Sequence, residues 1–294
     1  MLRKLFQSVT SMRARAVALV PFLVSVSTVI LFGTLVRAAE VERFSGGIEG
    51  SVTVEYIAHA CFRIISPDGK KLLIDPYASR VWLGYDFPTG LDADAVLITH
   101  PHYDHDGGVS GGGKGPWEAN TMILRTPGTN TIGDITVVGF AGKHADPWGK
   151  EFGQSNTVWL VQVSGLRIAH LGDNGPLSEE LVRQLGHVAV LMLPIDSKNH
   201  ILKPDQIAAI RKELSPAVLI PMHYRHGDLE LEGKPEGLGD IEPWAQKESN
   251  VSFSGTHRIA FLANALPWEP RIIILRHSPL VTRLIGSAKT PTKQ

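Results

Sequence analysis

The chain has 294 residues, 43% of them hydrophobic and 20% charged, with a formal net charge of zero, a composition that supports a large folded core. Residues 1–39 hold five basic and no acidic residues, so the remainder carries 24 basic against 29 acidic residues, and only 7% of the chain is aromatic. A mildly acidic, aromatic-poor body excludes a general nucleic-acid binder, whose affinity comes mostly from neutralised phosphates, and the single cysteine, Cys61, excludes an internal disulfide.

Arg3, Lys4, Arg13 and Arg15 precede an uncharged apolar run from Ala16 to Val36. Val36-Arg37-Ala38 then presents small residues to a signal peptidase, with cleavage expected after Ala38 or Ala39. Residues 1–39 therefore read as a signal peptide. The 21-residue apolar run 16–36 is also long enough to remain as a membrane anchor. Either way the body, residues 40–275, is expected outside the cytoplasm, periplasmic or extracellular.

Beyond residue 40 short β-rich runs alternate with turns. Val52–Ile57, Cys61–Ile65 and Lys71–Ile74 predict a meander whose second turn is Ser66-Pro67-Asp68-Gly69. Cys61, flanked by Ala60 and Phe62, reads as a small core residue. Ala95–Thr99 has the short apolar run of a buried strand. Further strands are expected at Met122–Leu124, Ile135–Phe140, Thr157–Val163 and Leu166–His170, the last two joined by Ser164-Gly165. Ser178–Leu185 opens with a cap and two glutamates, so it predicts a helix. Val188–Leu193 is a buried strand, Lys203–Leu214 a helix opened by Pro204, and Ala217–Pro221 and Arg271–Leu275 the last strands. Residues 276–294 are expected to form a mobile tail. Sheets covered by helices follow from this order.

The chemistry concentrates in Leu97-Ile98-Thr99-His100-Pro101-His102-Tyr103-Asp104-His105-Asp106. His100 and His102, two apart in extended chain, put both imidazoles on one side. Asp104 and His105 follow where the chain turns, and can aim at a second point. Imidazole and carboxylate are donors for zinc, manganese or iron. The tract Ser110-Gly111-Gly112-Gly113-Lys114-Gly115 lacks the Ser or Thr that a phosphate-binding loop needs after its lysine, and reads as a flexible rim.

This stretch resembles the His-X-His-X-Asp-His signature of the metallo-β-lactamase superfamily. The resemblance implies a four-layer αββα sandwich with a two-metal site at one edge between the sheets. It also implies three later donors, found in order as His144, Asp173 and His223. By that resemblance His100, His102 and His144 hold one divalent cation, Asp104, His105 and His223 hold a second, and Asp173 bridges them. Zinc is expected first and manganese second. Asp75, closing a strand in Leu73-Ile74-Asp75-Pro76, is expected to hydrogen-bond a ligand histidine. His59, in Ala58-His59-Ala60, matches a Gly-His-(Ser/Ala) element of the branch resembling ascorbate-6-phosphate lactonase, and is expected to line or support the site. Leu193-Pro194-Ile195 and Met222-His223-Tyr224-Arg225 resemble that branch as well.

The implied activity is hydrolysis of a lactone, ester or phosphodiester in a small-molecule substrate, by hydroxide generated between two metals. Asp104 and His200 are the candidates for acting at the reacting group. Tyr224 and Arg225, with His200, are the candidates for gripping substrate. Iron-dependent redox chemistry and a non-catalytic metal- or ligand-binding role are the alternatives. His170 reads as a packed residue, and His226, His257 and His277 match no ligand position. Oligomeric state is not legible.

Overall fold

The computed structural model describes residues 49–145, 154–196, 200–229 and 238–283. The expected targeting segment and most of the expected tail lie outside them. Among the described residues, no helix is long and apolar enough to cross a membrane.

Two sheets dominate. The strands are β1 (Val52–Ala58), β2 (Cys61–Ile65), β3 (Lys71–Ile74), β4 (Tyr85–Asp86), β5 (Ala95–Leu97), β6 (Met122–Leu124), β7 (Gly128–Ile132) and β8 (Ile135–Lys143). They continue as β9 (Ser155–Val163), β10 (Leu166–His170), β11 (Val190–Pro194), β12 (Val218–Met222), β13 (Val251–Phe253), β14 (Arg258–Phe261), β15 (Arg271–Ile274) and β16 (Thr282–Arg283). One sheet runs β14-β1-β2-β3-β5-β6, the other β13-β15-β12-β11-β10-β9-β8-β7. Helices α1 (Glu179–Leu185), α2 (Pro204–Leu214) and α3 (Glu242–Ala245) lie between successive strands from β10 to β13 of the larger sheet. This is the mixed two-sheet architecture expected from the sequence.

The pleat of the smaller sheet explains how its sequence serves two cores. Successive side chains of a strand face opposite sides. Leu72 and Ile74 of β3, with Ala95 and Leu97 of β5, enter the main core shared with β9 to β12. Leu73 and Val96, with Ile57, Cys61 and Ile98, enter a second apolar cluster with Tyr77, Leu83, Tyr85, Phe87 and Leu91. Both faces are therefore buried, which is why these strands read as continuous apolar runs. Cys61 is the buried packing residue expected. Among the described residues, the cover over this outer face is irregular chain from 77 to 91 together with Leu229, Leu238 and Val281 rather than helix. Each fully buried Leu, Ile or Phe contributes roughly 1.5–3 kcal/mol relative to exposure.

The helix starts match their sequence signals. The Ser178 hydroxyl accepts from the Leu181 N–H and caps α1, while Pro204 opens α2, whose Ile207, Ile210 and Leu214 face inward. The tail expected from residue 276 is corrected over its first eight residues. Ser278 and Val281 are buried, and Thr282 and Arg283 pair with Asp86 and Tyr85. The Ser278 N–H donates to Ile57 O at 2.8 Å, so this stretch closes the second apolar cluster.

The glycine tract is corrected at its end. A Cβ on Gly115 would lie 2.1 Å from the Trp117 ring, and one on Gly107 would lie 2.5 Å from Pro116. Both carboxylate oxygens of buried Asp106 accept main-chain N–H groups, from Gly108 at 2.9 Å and Ser110 at 2.8 Å. Gly107 and Gly115 thus admit the Trp117 side chain and its preceding proline, while Gly111, Gly112 and Gly113 stay exposed.

Candidate metal centre

Every expected donor lies just past the end of a strand, and both sheets contribute. The smaller sheet supplies His59 after β1, Asp75 after β3, and His100 to His105 after β5. The larger sheet supplies His144 after β8, Asp173 after β10 and His223 after β12. Extended strands thus carry residues far apart in sequence to one edge of the sandwich.

Two clusters form there. In the first, His100 Nε2 and His102 Nδ1 are 3.0 Å apart, and His144 joins them within metal-binding reach. In the second, His59, Asp104, His105 and His223 converge. Asp173 stands between the two. Its Oδ1 is 3.4 Å from His105 Nε2, and its Oδ2 lies 3.3 Å from His223 Nε2, 3.6 Å from His144 Nε2 and 3.9 Å from His100 Nε2. Asp173 thus faces donors of both clusters.

The histidine tautomers follow from what surrounds the rings. His105 Nδ1 donates to Asp75 Oδ2 at 2.8 Å, which leaves the Nε2 lone pair facing inward. The Thr99 hydroxyl donates to the same carboxylate oxygen at 2.6 Å and accepts from His100 Nδ1 at 3.0 Å. His144 Nδ1 donates to Ala145 O at 3.0 Å. As a result His105 Nε2, His144 Nε2, His223 Nε2 and Asp173 Oδ1 are buried without hydrogen-bond partners. Orphaned buried polar atoms cost about 1–3 kcal/mol each, and four of them converging on one space fit cations that would satisfy them.

Electrostatics point the same way. Burial pushes the His100 and His102 imidazoles down, and His59 to about 4. Burial would lower His105 and His223 too, but Asp173 above all outweighs it and raises both. Burial would raise Asp104 and Asp173, yet His105 above all holds both well below the usual carboxylate range. The two carboxylates stay charged, and the negative field with which they raise the neighbouring imidazoles is one that suits cations.

Backbone strain fixes the pieces. His59, Asp75 and His223 have φ of +58°, +47° and +63°, a left-handed conformation that non-glycine residues adopt at a cost. His59 is wholly buried, and its Nε2 lies 3.0 Å from Asp104 Oδ2. Its carbonyl accepts from the His223 N–H at 2.8 Å and from the Tyr56 hydroxyl at 2.9 Å. Gly172, with φ +55°, places Asp173: a Cβ there would lie 2.6 Å from Thr99 and from Asn156. His170, expected to be packed, donates from Nε2 to Ala60 O at 2.8 Å and accepts the Gly172 N–H at Nδ1.

His200 lies beside the second cluster, its ring 6.1 Å from that of His223, and burial lowers its pKa. The expected substrate-gripping role of Tyr224 is corrected. Its ring is buried against Tyr56 and His226, and its hydroxyl donates to Leu275 O at 3.2 Å. Arg225 is corrected as well, because its Nε and Nη2 bind both oxygens of Asp240 at 2.7 and 3.0 Å. Thr99 and Trp82 were missed by the sequence reading. Thr99 stands next to His100 in the signature and could have been found by its neighbour. Trp82, in irregular chain, carries no local signal.

A two-sheet sandwich whose strand ends gather five histidines and two aspartates into groups that could hold metal has the architecture of the metallo-β-lactamase class. The chain belongs to the β-lactamase superfamily domain family, whose profile matches residues 53–223 and so spans every donor from His59 to His223. Relatives bear the name UPF0173 metal-dependent hydrolase. That of Thermococcus onnurineus is 29% identical over 192 residues, covering 59% of this chain and 84% of its own length. That of Myxococcus xanthus is 28% identical over 228 residues, covering 69% and 80%. A metallo-β-lactamase superfamily structure from Thermotoga maritima shares the fold with a TM-score of 0.57 at 22% identity, over 77% of this chain and all of that one.

Proposed function

We propose that the protein is a metal-dependent hydrolase that cleaves a lactone or another carboxylic ester, using two divalent cations, zinc before manganese. The coarser part, a metal-dependent hydrolase of this superfamily, follows from the family, the names of the relatives and the His/Asp cluster. The carrying observation is Asp173, one carboxylate facing both donor clusters while its Oδ1 has no hydrogen-bond partner. Ester over phosphodiester rests on the lactonase-like sequence elements around His59 and His223.

His100, His102 and His144 would hold one cation, Asp104, His105 and His223 the other, with Asp173 shared. Bound there, divalent cations supply Lewis acidity, lowering the pKa of water and offsetting charge on a substrate oxygen. The chain's own part is preorganisation. Asp75 keeps the His105 proton on Nδ1, and Thr99 does the same for His100. Asp104, fixed by His59 and held ionised, accepts a hydrogen bond from the attacking water and orients it. His200, kept neutral by burial, has one N–H and one lone pair, so it can hydrogen-bond the substrate without adding positive charge.

The test is metal analysis of the purified full chain with a panel of lactones, carboxylic esters and phosphodiesters. About two equivalents of metal and ester turnover, abolished in His102→Ala and in Asp173→Ala, are expected. Undiminished turnover by metal-free protein overturns the reading.

A further inference from the structure

We propose that the substrate carries an uncharged apolar or aryl group rather than a phosphate, and that Trp82 selects it. This rests on the hydrolase reading above and specifies its substrate class.

Six of the seven donors are buried, as are His59 and Asp75. Among the described residues, the rings beside them that an incoming molecule meets include His102, Tyr103, Trp82 and His200, and Tyr103 is 41% exposed. Trp82 stands edge-on to His59 at 5.7 Å, 6.2 Å from His200 and 6.3 Å from His223. Behind it lies the second apolar cluster, against which its indole packs. Beside it, Val81 is 47% exposed. A group resting on this wall leaves water for apolar surface next to the second donor cluster, a favourable transfer of roughly 25 cal/mol per Å².

Two nearby arginines are already engaged by carboxylates. Arg80, two residues before Trp82, grips both oxygens of Asp86 at 2.7 and 2.9 Å. Arg225, two residues after His223, grips both oxygens of Asp240. Each bidentate pair occupies the fork that would otherwise bind phosphate. His200 is fixed too, since the Asp196 carboxylate accepts the N–H groups of His200 and Ile201 at 3.0 and 2.7 Å. A phosphate resting on this wall would exchange its hydration for an indole face, at a cost.

The experiment compares p-nitrophenyl acetate with p-nitrophenyl octanoate, and a plain δ-lactone with its 6-phosphorylated counterpart, on the full metal-loaded chain. The expected result is a higher kcat/KM for octanoate and for the unphosphorylated lactone. Trp82→Ala should lower the octanoate-to-acetate ratio about tenfold at unchanged metal content, and Trp82→Phe should restore most of it. A preference for the phosphorylated lactone, or an unaltered ratio in Trp82→Ala, overturns the proposal. If no ester is turned over the hydrolase reading fails, and calorimetric binding of decanoate against glucose 6-phosphate then decides the wall by itself. Decanoate binding that weakens in Trp82→Ala supports the wall, while tighter glucose 6-phosphate binding, or none by decanoate, refutes it.

Discussion

Asp75 Oδ2 and His105 Nδ1 lie 2.8 Å apart with both side chains fully buried, and this one contact sets which nitrogen of His105 is free to bind a cation. The same oxygen receives the Thr99 hydroxyl, which in turn receives His100 Nδ1. A single carboxylate therefore orients one imidazole in each cluster. Asp75→Asn is the informative change, because Asn tolerates the φ of +47° that this position requires. The Thr99 N–H at Oδ1, and the Thr99 hydroxyl and His105 Nδ1 at Oδ2, need two acceptor oxygens, and an amide offers only one. Metal affinity is expected to fall about 10–100-fold, read by titration with a competing chelator while circular dichroism stays native. Unchanged affinity would leave Asp75 only a turn-forming residue.

Metal removal should cost stability as well as activity. The buried atoms His105 Nε2, His144 Nε2, His223 Nε2 and Asp173 Oδ1 lack protein partners, so the folded state gains from any cation that the unfolded chain binds poorly. At a free metal concentration 100 times Kd the gain is about 2.7 kcal/mol per site. Melting of chelated protein is thus expected well below that of metal-loaded protein, with stepwise recovery as zinc is returned. A Tm indifferent to chelator would count against a metal at this position.

The sequence showed the centre better than the scaffold around it. Strands break into His or Asp at His100, His144, Asp173 and His223, a contrast visible without coordinates, and four of the seven donors fall within six residues. What stayed hidden had no local signal. Strand β7 is Gly128-Thr-Asn-Thr-Ile132, an exposed edge with no apolar alternation, and it exists because β8 is there to pair with it. Strand β14 is stabilised by pairing with β1, some 200 residues earlier in the chain. Adjacency to His223 in the chain does not bring Tyr224 and Arg225 to the substrate, since one is bonded to Leu275 and the other to Asp240. The left-handed turn at His223 sends the next side chain into the core. The glycine tract failed for a related reason, since nothing at 107–115 announces that the ring of Trp117 needs the space.

Gly172 tests how tightly the bridging carboxylate is placed. A methyl group there would sit 2.6 Å from Thr99 and from the Asn156 amide oxygen, at a φ of +55°. Gly172→Ala combines overpacking with left-handed strain, together about 2–4 kcal/mol. Thr99 and Asp173 flank the collision, so metal stoichiometry should fall along with stability in chemical denaturation. A variant that is destabilised yet binds two equivalents with native affinity would show that Asp173 is positioned by other contacts.

Acid stability should depend on a histidine outside the centre. His226 is buried, its Nε2 2.9 Å from the Tyr56 hydroxyl, between the rings of Tyr224 and His277. Burial first, and then His277, push its pKa from 6.5 down to about 3, although Asp228 opposes the shift. The folded protein thus refuses a proton that the unfolded chain accepts. The contribution is complete above pH 6.5 and declines as pH falls towards 3, by about 1.4 kcal/mol per pH unit. His226→Gln removes the titration and keeps a donor for Tyr56. Metal loss in acid affects both proteins alike and cancels from the comparison. From pH 6.5 to 4.5, wild type is expected to lose about 2–3 kcal/mol more than the variant, measured as the change in urea-unfolding free energy. Parallel curves would mean that His226 already takes its proton in the folded state.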